Sequence, residues 1–425
     1  MMQEYLYPKE NEWEQLCKRP VIDNSELEPT VLSIMNDVKA NGDKALKAYN
    51  LKFDNASVDN LLVSENEINE VDKKVDSKLK TAIKQAYENI YRFHSEQKES
   101  SKVIETTEGV KCWRRSVAIE KIGLYIPGGT APLFSTVLML AAPAKIAKCK
   151  EIILCTPPNA EGKINDAILF AAKLTGITKI FKVGGAQAIA AMTFGTESVP
   201  KVYKIFGPGN QYVTCAKQLA AKMGTAIDMP AGPSELLVYA DETCMPAFVA
   251  ADLLSQAEHG TDSQVILVTT KKDIVESVLK EIKKQLDQLP RKNIAERALK
   301  NSKIILLNSE SESIDLINEY APEHLILACK NDEDLAENII NAGSVFLGNY
   351  APESAGDYAS GTNHTLPTNG YAKAFSGVSL DSFIKKITFQ KISQKGIKTL
   401  ASTIETMAQA EGLFAHKNAV TIRTK

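Results

Sequence analysis

Nine short apolar runs, separated by helix-like stretches, constrain most strongly how this chain can fold. The first series is "GLYIP", "EIILCTPP", "KIFKVGG", "KVYKIFGPG" and "ELLVYAD", between residues 123 and 241. The second is "QVILVTT", "KIILLN", "HLILAC" and "GSVFLG", between 264 and 348. Runs of this length, without alternation and bounded by turn residues, have the pattern of buried parallel strands. Two such series predict an α/β fold with two doubly wound parallel-sheet units. Residues 25–100 are charged with apolar residues at helical spacing, which predicts helices. After about 380 the chain, including "SLDSFIKKITFQKIS", again reads as helix, amphipathic and too short to form a domain alone.

Charge and composition remove several function classes. A chain of 425 residues with a net charge of −2 carries no global basic field for nucleic acid. No apolar run approaches the ~20 residues that a membrane span needs. The amino terminus, "MMQEYLYPKENEWEQL", lacks the apolar core of a secretion signal. Seven scattered cysteines with no C-x-x-C pair suit a reducing, cytoplasmic setting and argue against a cysteine-zinc site.

Three glycine loops fall between strand and helix in the first series: "IPGGTAPLFSTV", "VGGAQAIAAM" and "FGPGNQYV". In the first, Pro127, Gly128 and Gly129 predict a tight turn, with Ser135 or Thr136 as candidate caps for the following helix. Exposed backbone N–H groups at helix starts suit a pyrophosphate. No G-x-G-x-x-G is present, and the acidic residue expected about 20 positions onward is not evident.

Histidine placement is sharper. Of five histidines, His94 lies in the charged stretch "IYRFHSEQ" and is expected to be solvated. His259, His324, His364 and His416 each sit in a polar cluster that also holds Glu258, Glu323, Asp357 or Glu411. Imidazole, carboxylate and carbonyl oxygens together suit zinc or a similar divalent ion. In "DLLSQAEHG", Asp252, Ser255, Gln256 and His259 share one face of an otherwise apolar helix starting at Pro246 and capped by Gly260. Gln256 and His259 can therefore reach one ion. The adjacent Glu323 and His324, just before a predicted strand, are placed for proton transfer.

The motifs "GLYIPGG", "PLFSTVLM", "GPGN", "DMPAGPSELLV", "DLLSQAEHG", "APEHL", "GDYASGTNHTLPT" and "EGLFAHKNAV" occur in one order along nearly the whole chain. In this the chain closely resembles the histidinol dehydrogenases. The resemblance implies oxidation of L-histidinol to L-histidine through the aldehyde with two NAD, the last steps of histidine biosynthesis. It implies one zinc per subunit on Gln256, His259, Asp357 and His416. His324 is implied as the base for the hydroxyl proton and Glu323 as the activator of water. Ser234, His364 and Glu411 are implied as substrate contacts beside the zinc ligands and His324, and Tyr125, Gln187 and Asn210 as NAD contacts. The dinucleotide unit is expected to be an incomplete Rossmann fold. An arm at 1–21, a discontinuous domain of 22–124 plus 236–378, an inserted NAD domain at 125–235 and a tail at 379–425 are also implied. Arm and tail would cross to the partner of a homodimer, where His416 completes the other subunit's site.

The residues alone leave rivals open. A zinc hydrolase would use Glu323 to activate water. A thiol-dependent aldehyde dehydrogenase would need Cys112 or Cys149 as nucleophile, and neither lies in a glycine-polar loop. A non-catalytic binding protein would not need Glu323 and His324 in addition to the ligands.

Overall fold

The computed structural model describes residues 2–20, 26–128, 132–230 and 232–425. Gly129 of the first glycine loop lies outside the described residues. After β1 (Gln3–Leu6) and the single turn α1 (Trp13–Leu16) come α2 (Leu27–Asp54), α3 (Glu65–Lys74) and α4 (Ser77–Ser95). The start of α3 is fixed by a capping box between Ser64 and Glu67, and that of α4 by the Asp76 carboxylate accepting from the N–H groups of Lys78 and Leu79. Two strands follow, β2 (Ile104–Thr107) and β3 (Val110–Ala118).

The first four runs of the first predicted series then fall in a unit that begins β4 (Lys121–Tyr125), α5 (Phe134–Ala147), β5 (Glu151–Thr156), α6 (Asp166–Thr175) and β6 (Lys179–Lys182). It continues through α7 (Gly185–Phe194), β7 (Lys204–Phe206), α8 (Gln211–Lys222) and the short β8 (Ala226–Ile227). These five strands make one parallel sheet in the order β6-β5-β4-β7-β8. The winding direction reverses between β4 and β7. In doubly wound sheets a crevice opens there, at the carboxyl ends of the strands.

The second unit runs β9 (Glu235–Ala240), α9 (Pro246–Ala257), β10 (Gln264–Thr269), α10 (Lys272–Leu286), α11 (Lys292–Lys300) and β11 (Lys303–Leu306). It is completed by α12 (Glu310–Tyr320), β12 (His324–Ala328), α13 (Asp332–Ala336), β13 (Ser344–Leu347) and α14 (Glu353–Tyr358). Its sheet, also parallel, has the order β1-β11-β10-β9-β12-β13. Every residue of β9, β10 and β12 is buried, as continuous apolar strands covered by helices on both faces require. Each Leu, Ile or Val so buried contributes about 1.5–3 kcal/mol relative to exposure. The chain ends in β14 (Ile384–Ile392), α15 (Gln394–Ala410) and α16 (Phe414–Thr424).

All nine predicted strands are present, and the α/β class is as expected. Five features differ from the sequence expectation. The run "ELLVYAD", read as the last strand of the first series, is β9 of the six-stranded sheet, and the short β8 stands in its place in the five-stranded one. The segment "IKKITFQKI" is strand, not helix: β14 pairs antiparallel with β3, which also pairs with β2, in a three-stranded sheet. The arm at 1–21 adds β1 to the edge of its own chain's six-stranded sheet, where register runs from Gln3 opposite Lys303 to Leu6 opposite Leu306. The segment 22–124 was expected to belong with 236–378. Instead α2, α3 and α4 pack on α5, α6, α7 and α8, and β4, which a boundary at 124 would cut, is the middle strand of the five-stranded sheet. Ser135 and Thr136 lie inside the first turn of α5, whose N-cap is Leu133 with no side-chain cap.

Gly207, just after β7, shows how tightly the crevice is built. It has φ of +130°, and a Cβ there would lie 2.0 Å from the Tyr125 carbonyl oxygen. Its N–H donates to Asp228 Oδ2 at 2.8 Å and its carbonyl accepts from Lys217 Nζ at 2.8 Å. Gly207→Ala is expected to cost at least about 1–3 kcal/mol of stability from backbone strain alone, measurable by urea unfolding. An unchanged urea midpoint would contradict this account.

Candidate active site

The amino ends of β9 and β12, neighbours at the reversal of the six-stranded sheet, bring the acid–base pair together. Glu323 and His324 are both buried. The Glu323 carboxylate accepts from the Glu235 N–H at 2.8 Å, and His324 Nδ1 lies 3.2 Å from the Glu235 carbonyl oxygen. One peptide segment of β9 therefore holds both members. Carbonyl acceptance at Nδ1 places the imidazole's donor there and leaves Nε2 facing the cluster, 3.6 Å from Asp357 Oδ1. The pair is closely packed. A Cβ at Gly343 would lie 2.5 Å from the Glu323 carbonyl oxygen, and the Phe346 ring stands 6.1 Å from the His324 ring.

Around His324 stand three carboxylates. Glu323 Oε2 and Glu353 Oε1 are each 3.7 Å from Nδ1, and Asp357 is on the other side. Burial opposes the imidazolium, but Glu353, Glu323 and Asp357 outweigh it and push the histidine up to about 10. Burial raises Glu323 to about 8 and holds Glu353 well above the usual carboxylate range. Asp357 is held below that range despite its burial, because His324, His364 and His259 lie near it. Glu353 Oε2 and His324 Nε2 are buried without a hydrogen-bond partner. His324, Glu353 and Asp357 present donor atoms within 4.8 Å of one another. An acidic, buried cluster with orphaned donor atoms fits a bound divalent cation.

The polar stripe of α9 faces this cluster. Gln256 is buried, and with its amide oriented to satisfy its neighbours it donates to Glu353 Oε1 at 2.7 Å and accepts from the Glu235 N–H at 3.0 Å. Asp252 lies within electrostatic reach of Glu353, while Ser255 turns back to donate to the Asp252 carbonyl at 2.9 Å. The helix ends at Ala257, about two residues earlier than Gly260 implies, so His259 follows it rather than belonging to it. His259 is exposed and within electrostatic reach of Asp357. Ser234, partly buried, immediately precedes Glu235.

His364 joins the two sheets. Its Nδ1 lies 2.9 Å from the Asp357 carbonyl oxygen, and its Nε2 lies 3.0 Å from Thr136 Oγ1 at the start of α5. The carboxyl end of the five-stranded sheet thus meets the amino end of the six-stranded one. Tyr125 ends β4 and its buried hydroxyl accepts from the Gly185 N–H at 3.0 Å. Gln187 is buried in the first turn of α7, and Asn210 caps α8 by accepting from the N–H groups of Tyr212 and Val213, both at 3.1 Å. These three expected NAD contacts sit at the carboxyl ends of the sheet. Tyr125 and Asn210 follow β4 and β7, the strands that flank the reversal.

Two expected site residues are elsewhere. Glu411, just after α15, and His416, in α16, are exposed on the helical tail. His94, expected in solvent, is fully buried: Nδ1 donates to Gln97 Oε1 at 3.0 Å and Nε2 accepts from Asn363 Nδ2 at 3.3 Å. Burial lowers its pKa, and the neutral ring braces the loop that carries His364. Cys149 donates to the Phe383 carbonyl oxygen, and burial raises it to about 12, the opposite of an activated thiol. Sequence reasoning missed Glu353, and took Thr136 only as a candidate helix cap. Glu353 lies four residues before Asp357 in "PESAGDY", hence on the same face of α14, a signal that the sequence does contain.

The histidinol dehydrogenase family model matches residues 17–424. The chain belongs to the histidinol dehydrogenase family. It is 60% identical over 417 residues to the histidinol dehydrogenase of Bacteroides fragilis, covering 98% of this chain and 97% of that one. With the enzyme of Escherichia coli K12 the identity is 53% over 412 residues, 96% of this chain and 94% of the relative. The crystal structure of histidinol dehydrogenase from Elizabethkingia anophelis superposes with a TM-score of 0.98 at 59% identity, covering 99% and 98% of the two chains.

Proposed function

We propose that this chain oxidises L-histidinol to L-histidine through L-histidinaldehyde, with zinc and two NAD. The observation that carries the proposal is the buried Glu323–His324 pair beside an acidic, orphan-bearing cluster, in a chain of this family. Gln256, His259 and Asp357, with His416 from a partner subunit, would hold zinc. When bound, zinc supplies an electropositive anchor for the substrate's amine and imidazole, and NAD supplies the hydride acceptor. Ser234, His364 and Glu411 would complete the substrate's contacts, and Tyr125, Gln187 and Asn210 those of NAD.

Each residue's task follows from its position. Once a bound cation offsets the carboxylates that raise its pKa, His324 is neutral, and it takes the hydroxyl proton as the first hydride leaves the carbinol carbon and the aldehyde forms. Glu323 takes a proton from water as the water's oxygen bonds to the aldehyde carbon, giving the gem-diol. The second hydride leaves that carbon while His324 again accepts a hydroxyl proton. In sum one histidinol, one water and two NAD give one histidine, two NADH and three protons, counting ionisation of the new carboxyl group. The protein is further proposed to be a cytoplasmic homodimer; among the described residues no helix is long and apolar enough to cross a membrane. Supporting the dimer, Met407, Leu413, Phe414 and Ile422 of the tail are exposed.

The direct test mixes protein, histidinol and NAD and follows NADH. Two equivalents per histidinol are expected, and none would overturn the proposal in favour of a zinc hydrolase. Zinc itself is tested by His259→Ala, expected to lose the metal and with it activity, because three protein ligands leave the shell incomplete. Full zinc content in that variant, by metal analysis, would remove His259 from the ligand set.

A further inference from the structure

We propose that Arg19 is a positioning residue for the acid–base pair, acting through Glu235. The inference rests on the roles given above to Glu323 and His324. Arg19 reaches from the N-terminal arm to the start of β9, where Nε and Nη2 donate to Glu235 Oε1 and Oε2 at 2.9 and 3.0 Å. The Glu235 carboxylate is buried and accepts one further bond, from the Asn369 N–H at 2.8 Å. Its backbone is what touches the pair, through N–H to Glu323 and carbonyl to His324. A planar guanidinium on a carboxylate fixes direction as well as distance, so the side chain pins the peptide that carries both contacts.

The same guanidinium holds the approach to β12. Nη2 donates to the Tyr320 carbonyl at 2.5 Å and lies 3.4 Å from that of Ala321, and Cζ lies 3.9 Å from the centre of the Tyr320 ring. Ala321 has φ of +53°, a left-handed conformation that alanine rarely adopts, two residues before Glu323. One group therefore braces both chain segments whose meeting forms the pair. The arm does not depend on Arg19 for its attachment. β1 pairs with β11, and the Lys303 ammonium donates to the carbonyls of Leu16 and Lys18. A substitution at Arg19 can thus leave the arm in place while freeing Glu235.

The test uses Arg19→Met, Arg19→Ala, Glu235→Gln and Arg19→Met/Glu235→Gln in the full-length, zinc-loaded protein, with wild type alongside. Arg19→Met is expected to lower kcat about 10–100-fold per zinc-loaded site, with histidinol KM and zinc content near wild type, as for other groups that orient catalytic ones. The double variant is expected to be no slower than Arg19→Met alone, because both lesions break one device. Arg19→Ala should regain part of its kcat on adding free guanidinium and none on adding sodium chloride. A merely structural role predicts a lower melting temperature with kcat per folded site unchanged, and that result would overturn the proposal. So would full additivity of the two substitutions, or absence of guanidinium rescue. Wild type that makes no NADH from histidinol would instead refute the functional reading.

Discussion

Glu323→Gln should still turn histidinol into the aldehyde at close to the normal rate, yet oxidise the aldehyde about 10²–10⁴-fold more slowly. The substitution keeps shape, and the amide oxygen can still accept from the Glu235 N–H that the carboxylate now engages. What it loses is the base. Only the second half-reaction consumes water, so only that half should need a group able to take a proton from it. His324→Ala should instead slow both halves, since each hydride departure leaves a hydroxyl proton to be removed. Supplying histidinaldehyde directly separates the cases. A Glu323→Gln enzyme that oxidises it at the wild-type rate would withdraw the role assigned to Glu323. Aldehyde trapped from the variant during histidinol turnover, and not from wild type, would support it.

The buried strands were legible because parallel sheets covered on both faces need unbroken apolar runs, and "ELLVYA" or "HLILA" can hardly do anything else. Where periodicity is ambiguous the outcome depends on distant partners. Ile384, Ile387, Phe389 and Ile392 are spaced three, two and three apart, compatible with helix or strand, and β3 decides. His94 reads as solvated from its charged neighbours, but its partner Asn363 is 269 residues away. Similarly, α2 to α4 are amphipathic whichever sheet they cover, so their sequence cannot choose between the two. Within the site, motif order pointed to Glu323, His324, Gln256 and Asp357, and the structure brings these four together. Arg19 carries no local signal. It gains meaning only when the arm lies beside Glu235, 216 residues away.

Co-expressing His259→Ala with His416→Ala, each expected to be inactive alone, should restore about a quarter of wild-type activity if dimers of the proposed kind mix at random. The reasoning begins with exposure. In the single chain His416 and Glu411 stand on the surface of the tail, where α15 and α16 pack on each other and leave Met407, Leu413, Phe414 and Ile422 uncovered. Such a face gains stability when a second chain covers it, and the same docking can deliver His416 to a partner's Gln256, His259 and Asp357. In a mixed dimer, one site then combines both lesions, while the other takes His259 and His416 from chains in which each is intact. Half the dimers are mixed and half their sites are whole, which gives the quarter. If His416 instead served its own chain, every site would keep one lesion and mixing would restore nothing. Absence of recovery, with mixed dimers shown by differential tagging, would therefore eliminate the shared site. Recovery near one quarter would leave no arrangement in which each chain completes its own.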